Sequence, residues 1–296
     1  MSRIHEALKK AEEQRAAAQG GQNSGENPSA AGPGPVLSDS PSFARSVTFD
    51  MLLAKCPQGG WSPDAKTMLF FNTEEHVAGT EEFRTLRSRL YQMREQKTLK
   101  KVLITSALPK EGKSFVSANL AQALAQQPGR RVLLVDADLR APRLHQVLGT
   151  SPAPGLTEYL KGESEELDIV QRGAMESLFF IPSGHSMASA AELVANGRMK
   201  VLLDRLAPLF DWVIIDSPPA VPVSDASLLA NCCDGVLLVV RSNETPFDIA
   251  QRARQEFRDE LLLGVVLNAI DRSSTAYNPY YYSAYPSANG KNGGKT

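Results

Sequence analysis

From Lys100 onward the chain alternates between two hydrophobic periods. Near-continuous apolar runs (VLIT, RVLLVDAD, LFFIPSG, DWVIIDSPP, DGVLLVVR) each lead into a stretch with helical spacing (SFVSANLAQALAQ, LTEYL, AAELVANGRMKVLLDRL, SDASLLANCC, TPFDIAQRARQEF), and a last run, LLGVVLNAI, closes the series. Val/Ile/Leu runs without polar alternation suit strands covered on both faces, and a helix between successive strands is the connection that parallel pairing requires. The expectation is an α/β fold, a doubly wound and mainly parallel sheet with helices on both faces. Local signals agree: Ser189 and Glu192 have capping-box spacing, and Thr245 followed by Pro246 suits a helix start. The run MLFFN, residues 68–72, reads as a further short strand.

The flanks differ in composition. Residues 1–18 carry Ile4, Ala7, Leu8 and Ala11 at helical spacing among charges, and residues 19–46 are rich in Gly, Ser, Asn and Pro, with little to bury. A short helix on a flexible linker is expected, either a solvated helix or a docking element for a partner. Residues 47–271 are expected to form the folded α/β domain, with its core from about residue 81, and residues 272–296 a polar, tyrosine-rich tail. With 42% hydrophobic residues among 296 and a formal net charge of -1, the chain can bury one substantial core and shows no basic surface for nucleic acid. Cys56, Cys232 and Cys233 form no spaced framework, so reduced thiols are expected. No apolar run reaches the roughly 18 residues of a membrane span, and the start MSRIHEALKKAEEQR has no apolar secretion core, so a cytoplasmic location is expected.

The chemistry concentrates in SALPKEGKS, residues 106–114, which closely follows the phosphate-loop pattern GxxxxGK(S/T), with Ala107 where the first glycine is expected. A loop of this kind between a strand and a helix aims main-chain N–H groups and the positive helix end at phosphate, and its lysine reaches the terminal phosphates. Lys110, Glu111, Gly112, Lys113, Ser114 and Phe115 form the expected nucleotide contact, with Ser114 on Mg²⁺. Asp136 and Asp138 lie just past the second strand and Asp216 at the end of a later one. Parallel strand ends open on the same crevice, and Asp there can hold Mg²⁺ beside Ser114. An Asp after one strand is ordinarily a turn or cap residue, but three of them beside GKS point to ATP and Mg²⁺.

The stretches SALPKEGKS, VDADLRAPRLH and VIIDSPP resemble the Walker A, A′ and B motifs of bacterial tyrosine autokinases (BY-kinases) of capsular and exopolysaccharide biosynthesis. The likeness covers roughly residues 81–271 and implies a P-loop NTPase-type fold. It implies Lys113 on phosphates, Ser114, Asp138 and Asp216 at Mg²⁺, and Asp136 as a group orienting or deprotonating the acceptor hydroxyl. Lys113, Asp136, Asp138 and Asp216 are the catalytic set, with the base left open between Asp136 and Asp138. EEFRTLRSRL is similar to the family's oligomerisation motif through Glu81, Arg84 and Arg87, and STAYNPYYYSAY to its C-terminal tyrosine cluster through Tyr277, Tyr280, Tyr281, Tyr282 and Tyr285. Lys110 departs from the pattern, since the family usually has glycine there.

The resemblance implies autophosphorylation between subunits of a ring-like homo-oligomer. It also implies recruitment to the inner face of the membrane by a chain-length-determinant activator protein, and a cognate tyrosine phosphatase. An ATPase switch of the ParA/MinD kind shares the motif order, but usually has lysine where this chain has Leu108. A nucleotide-binding scaffold without activity is the third reading, opposed by the joint presence of Lys113, Ser114 and the aspartates. Five of the seven tyrosines fall in the last 20 residues, among Ser, Asn, Pro and Gly that build no core, which favours phosphoacceptors over packing.

Overall fold

A computed structural model describes residues 47–56, 58–71, 79–173, 175–187 and 189–270. The N-terminal helix, the linker and the tyrosine tail expected from the sequence lie outside the described residues. The six apolar runs become six strands: β1 (Lys101–Ser106), β2 (Val132–Asp136), β4 (Leu178–Ile181), β5 (Trp212–Asp216), β6 (Gly235–Arg241) and β7 (Leu262–Asn268). A two-residue strand that the pattern does not announce, β3 (Gln171–Arg172), pairs antiparallel with β4 at one edge. The sheet order is β3-β4-β2-β5-β1-β6-β7, and every other pair is parallel.

The helices are α1 (Phe49–Lys55), α2 (Thr80–Gln96), α3 (Lys113–Ala125), α4 (Leu144–Leu148), α5 (Leu156–Lys161), α6 (Ala190–Ala195), α7 (Arg198–Leu206), α8 (Asp225–Ala230) and α9 (Phe247–Gln255). Alternate strand residues feed two apolar layers. Leu103, Leu133, Val135, Val213 and Ile215 pack with Met199, Leu202 and Leu229 on one face, while Val102, Ile104, Leu134, Trp212 and Ile214 pack with Leu120 and Leu124 of α3 on the other. Period-two alternation is thus present inside runs that look continuously apolar, because both faces are covered.

Four local expectations are corrected. The helical spacing of SFVSANLAQALAQ implies one apolar face and one left to solvent, yet α3 is buried nearly all round, since α2 lies over the side turned away from the sheet. Its small Ala and Ser residues allow that close approach. The MLFFN run does not form a strand: Leu69–Phe71 is a 3₁₀ turn, because the Leu69 N–H donates to Asn119 Oδ1 (2.9 Å) and the Thr67 carbonyl accepts from Asn119 Nδ2 (2.8 Å), so α3 takes the polar groups a neighbouring strand would have needed. The single helical period of residues 190–206 is split at Gly197, whose φ of 84° starts α7 in a new direction. The Ser189–Glu192 box does not close, as the Ser189 side chain makes no capping bond. Instead Glu158 accepts from the Gly155 N–H (2.7 Å) at the start of α5. Helix α9 does begin after Pro246, but the Thr245 hydroxyl is turned elsewhere.

Trp212 is fully buried at the start of β5, with the Tyr91 ring edge-on at 5.4 Å and its Nε1–H donating to the Tyr91 hydroxyl (3.1 Å). A Tyr91→Phe substitution keeps the ring and strands a buried indole N–H, a loss of about 1–3 kcal/mol. Denaturant unfolding should show a lower midpoint with an unchanged slope; an unaltered midpoint would mean that the hydroxyl adds nothing to the packing of α2 on the sheet.

Candidate active site

Three strand ends meet because β5 lies between β1 and β2. In the ladders Ile104 pairs with Asp216 and Asp136 pairs with Asp216, so the phosphate loop and both acidic strand ends stand side by side at the carboxyl edge. The loop leaves β1 and enters α3 through Gly112, whose φ of 93° places it in the left-handed region. Lys110 is also left-handed, at φ 68°. That conformation is nearly free for glycine and costs other residues about 1–2 kcal/mol, which is the physical reason for glycine at this loop position and the strain that Lys110 carries. Ala107 is not left-handed and is fully buried in the core, so a small side chain suffices there and glycine is not required.

The loop and the strand ends are joined by charge. Lys113 Nζ lies 2.8 Å from Asp138 Oδ2, and both side chains are almost wholly buried. The Ser114 hydroxyl donates to Asp216 Oδ2 (2.6 Å), and the Ser117 hydroxyl lies 3.1 Å from the other oxygen, Oδ1. Ser117 was not singled out from the sequence, although its position three residues beyond Ser114 on one helix is the signal that marks it. Asp136 is fixed by main-chain donors: Leu144 N–H at the start of α4 reaches Oδ2 (3.1 Å) and Asp138 N–H reaches Oδ1 (3.3 Å). Asp138 uses its other oxygen, Oδ1, to accept from Ala141 N–H (3.0 Å).

Three acids therefore surround one ammonium in a place with little water. Burial, and then the Asp216 carboxylate, push the Asp136 carboxyl up to about 8. Burial also raises Asp216 above the usual carboxylate range, although Lys113 and the Ser114 hydroxyl pull against it. Burial works against the Lys113 charge, but Asp216 and Asp138 outweigh it and hold the ammonium above its ordinary value. The cluster carries an excess of potential negative charge that a cation with a preference for oxygen would offset. Among the described residues no group of three or more His, Cys, Asp and Glu side chains is ready to hold a metal unaided.

The remaining expected residues separate. Phe115 faces away from the crevice, its ring edge-on to Phe83 at 5.8 Å, so only its main chain belongs to the loop. Glu111 is buried, with Oε2 accepting from Leu108 N–H (2.7 Å). Glu81 and Arg84 form an exposed pair on the surface of α2. Arg87 does not share that exposed face: it donates through Nη1 to the Ala123 carbonyl of α3 (2.8 Å), so it helps seat the helix. One further charge pair flanks the crevice, Arg140 with the buried Asp225 (Nε to Oδ2, 3.1 Å). Tyr277, Tyr280, Tyr281, Tyr282 and Tyr285 lie outside the described residues.

Comparison with known proteins agrees with this geometry. A family model described as AAA domain matches residues 109–248. The tyrosine-protein kinase YwqD of Bacillus subtilis is 36% identical over 211 residues, covering 71% of this chain and 89% of that protein. The tyrosine-protein kinase wzc of Salmonella typhimurium is 32% identical over 207 residues, covering 69% of this chain but only 29% of that longer protein. Among solved structures, the kinase domain of the Escherichia coli tyrosine kinase ETK superposes with a TM-score of 0.62 at 33% identity, covering 68% of this chain and 80% of that one. The relatives are named as kinases, which does not favour the ATPase-switch reading. With its P-loop fold, its nucleotide-binding loop and this degree of likeness over nearly the whole of YwqD, the chain belongs to the bacterial tyrosine-protein kinase family.

Proposed function

We propose that this kinase transfers the γ-phosphoryl group of ATP to tyrosines of its own tail, chiefly those between Tyr277 and Tyr285, and does so between subunits. The observation that carries the reading is the placement of Lys113 and Ser114, at the first turn of α3, directly against Asp138 and Asp216. Phosphoryl transfer needs positioned oxygens and neutralised charge more than covalent chemistry, and a helix start with an ammonium and carboxylate-bound hydroxyls supplies both. Lys113 would bind the terminal phosphates. The oxygen donors of Ser114 and Asp216, with Asp138 at hand, fit Mg²⁺, which when bound supplies positive charge to the transferred group.

Lys113 is engaged with Asp138 in this arrangement, so phosphate must draw it away. That exchange frees Asp138 Oδ2 toward the crevice while Oδ1 stays on Ala141 N–H, whereas both Asp136 oxygens are held by main-chain donors. Asp138 is therefore the better placed of the two to meet an acceptor hydroxyl, and Asp136 to hold the loop before α4.

We further propose that the domain comprises residues 47–271, that residues 272–296 form the acceptor tail, and that the enzyme regulates exopolysaccharide polymerisation or export. On this reading a membrane activator of the chain-length-determinant type recruits it to the inner face of the membrane, and a phosphatase resets the tail. No helix among the described residues is long and apolar enough to cross a membrane, which is compatible with recruitment through a partner. The exposed Glu81–Arg84 pair on α2 supports a head-to-tail contact that closes a ring, while the inward Arg87 supports it only by seating α2.

Lys113→Met should lower autophosphorylation by at least about 10²-fold, and mass spectrometry of the ATP-treated wild type should find phosphate mainly from Tyr277 to Tyr285. An unimpaired variant removes this loop from the mechanism; phosphate confined to Tyr91 or Tyr159 removes the tail. Asp138→Asn frees Lys113 from its charged partner, so nucleotide titrations without Mg²⁺ should show tighter binding, while autophosphorylation assayed with Mg²⁺ should be slower. Equal or weaker binding would mean that the ion pair does not compete with phosphate. Arg84→Glu should give smaller particles by light scattering and retain ATP binding; unchanged particle size places the subunit contact elsewhere.

A further inference from the structure

We propose that Thr245, in the turn that follows β6, and Asn268, the last residue of β7, are positioning residues that act through Glu111 to hold the phosphate loop in the shape that accepts ATP, an inference that rests on the reading of this loop as the ATP site. Three successive contacts reach consecutive loop residues from outside the loop. Arg241 Nη1 donates to the Lys110 carbonyl (3.3 Å), the Thr245 hydroxyl donates to Glu111 Oε1, and Asn268 Nδ2 donates to the Glu111 carbonyl (2.8 Å). Glu111 Oε2 then ties the loop to itself through Leu108 N–H.

The loop needs this help because it is strained and carries charge of the wrong sign. Lys110 and Gly112 are both left-handed, on either side of Glu111. Glu111 is a nearly fully buried carboxylate in a segment that must receive an anion, and among the described residues no cation lies within ion-pair distance of it. Hydrogen bonds from Thr245 and Leu108 are what offset its burial and keep it turned from the phosphates. The Thr245 hydroxyl has no freedom to leave: its single hydrogen goes to Glu111, and its oxygen accepts from Arg241 N–H (3.2 Å).

Asn268 adds a steric constraint. A Cβ at Gly112 would lie 2.0 Å from Asn268 Nδ2, so the amide rests directly on the glycine that opens α3. The two strand ends are themselves joined, as Ser242 N–H donates to the Asn268 carbonyl (2.9 Å). Loop, β6 end and β7 end are thus joined by hydrogen bonds into one unit.

The test uses the full chain, with ATP affinity read by displacement of a fluorescent nucleotide, steady-state KM and kcat for ATP, and the thermal midpoint without nucleotide. Thr245→Val keeps the volume and removes the donor; it should raise both Kd and KM for ATP by about tenfold, with kcat at saturating ATP held within about twofold. Thr245→Ser should restore the wild-type Kd. Asn268→Ala should weaken ATP binding similarly, and the double variant should fall short of the product of the two effects, since both act on Glu111. Unchanged ATP affinity in Thr245→Val and Asn268→Ala, a lowered thermal midpoint with affinity intact, or failure of Thr245→Ser to restore binding would each overturn the proposal. Should Thr245→Val fail to fold, Asn268→Ala and Thr245→Ser decide it by the same readings. A wild type that binds no ATP overturns instead the reading of the loop on which this inference rests.

Discussion

The first turn of α3 is the point on which the rest of the molecule depends. Lys113 must remain charged there while nearly buried, and it does so because Asp216 and Asp138 lie against it. A buried ammonium with one good partner is tolerable; breaking such a pair by removing one member is costly. The position of the helix is therefore tied to the strand ends carrying those acids, and the fold around it reads as the means of keeping a helix start, two strand ends and a strained loop in register.

The support comes from both sides of α3. Toward the sheet, Leu120 and Leu124 pack with Ile104, Leu134 and Ile214. On the other side α2 is pinned by Arg87 on the Ala123 carbonyl and by Tyr91 on Trp212. Asn119 spends its amide on residues 67–69, which closes the layer where α2 does not reach. A charged motif that looks like pure surface in the sequence is thus shared between a structural task and an exposed one, with Arg87 assigned to the first and Glu81 and Arg84 to the second.

The crevice is built to change partners. Potential negative charge exceeds positive charge around Lys113, and burial keeps the Asp136 carboxyl up near 8, so the site favours an incoming cation and a protonated acid over three free carboxylates. On the proposed reading, triphosphate arriving at α3 would compete for the same lysine that Asp138 holds. The clamp from β6 and β7 ensures that this exchange occurs on a loop that is already shaped.

Much of this was legible in the amino-acid order, and the reason is local. Six apolar runs, most of the helical periods between them, the GKS at a helix start and Asp residues at strand ends are all written in short stretches whose meaning depends on near neighbours, and these stand where the sequence indicates, the period of residues 190–206 excepted. What the order could not show depends on which distant segments meet. That β5 lies between β1 and β2, bringing Asp216 beside Asp136, is a matter of sheet order, to which no local period is sensitive. The same holds for Phe115 turning into the core, for Leu69 giving its N–H to Asn119 rather than to a strand, and for Arg87 reaching an α3 carbonyl. Thr245 and Asn268 stand 134 and 157 residues from Glu111, and only the folded sheet puts a hydroxyl and an amide on that buried carboxylate's residue. Local stretches determine which elements form; burial of polar groups, satisfied only across long sequence separations, decides where their side chains go.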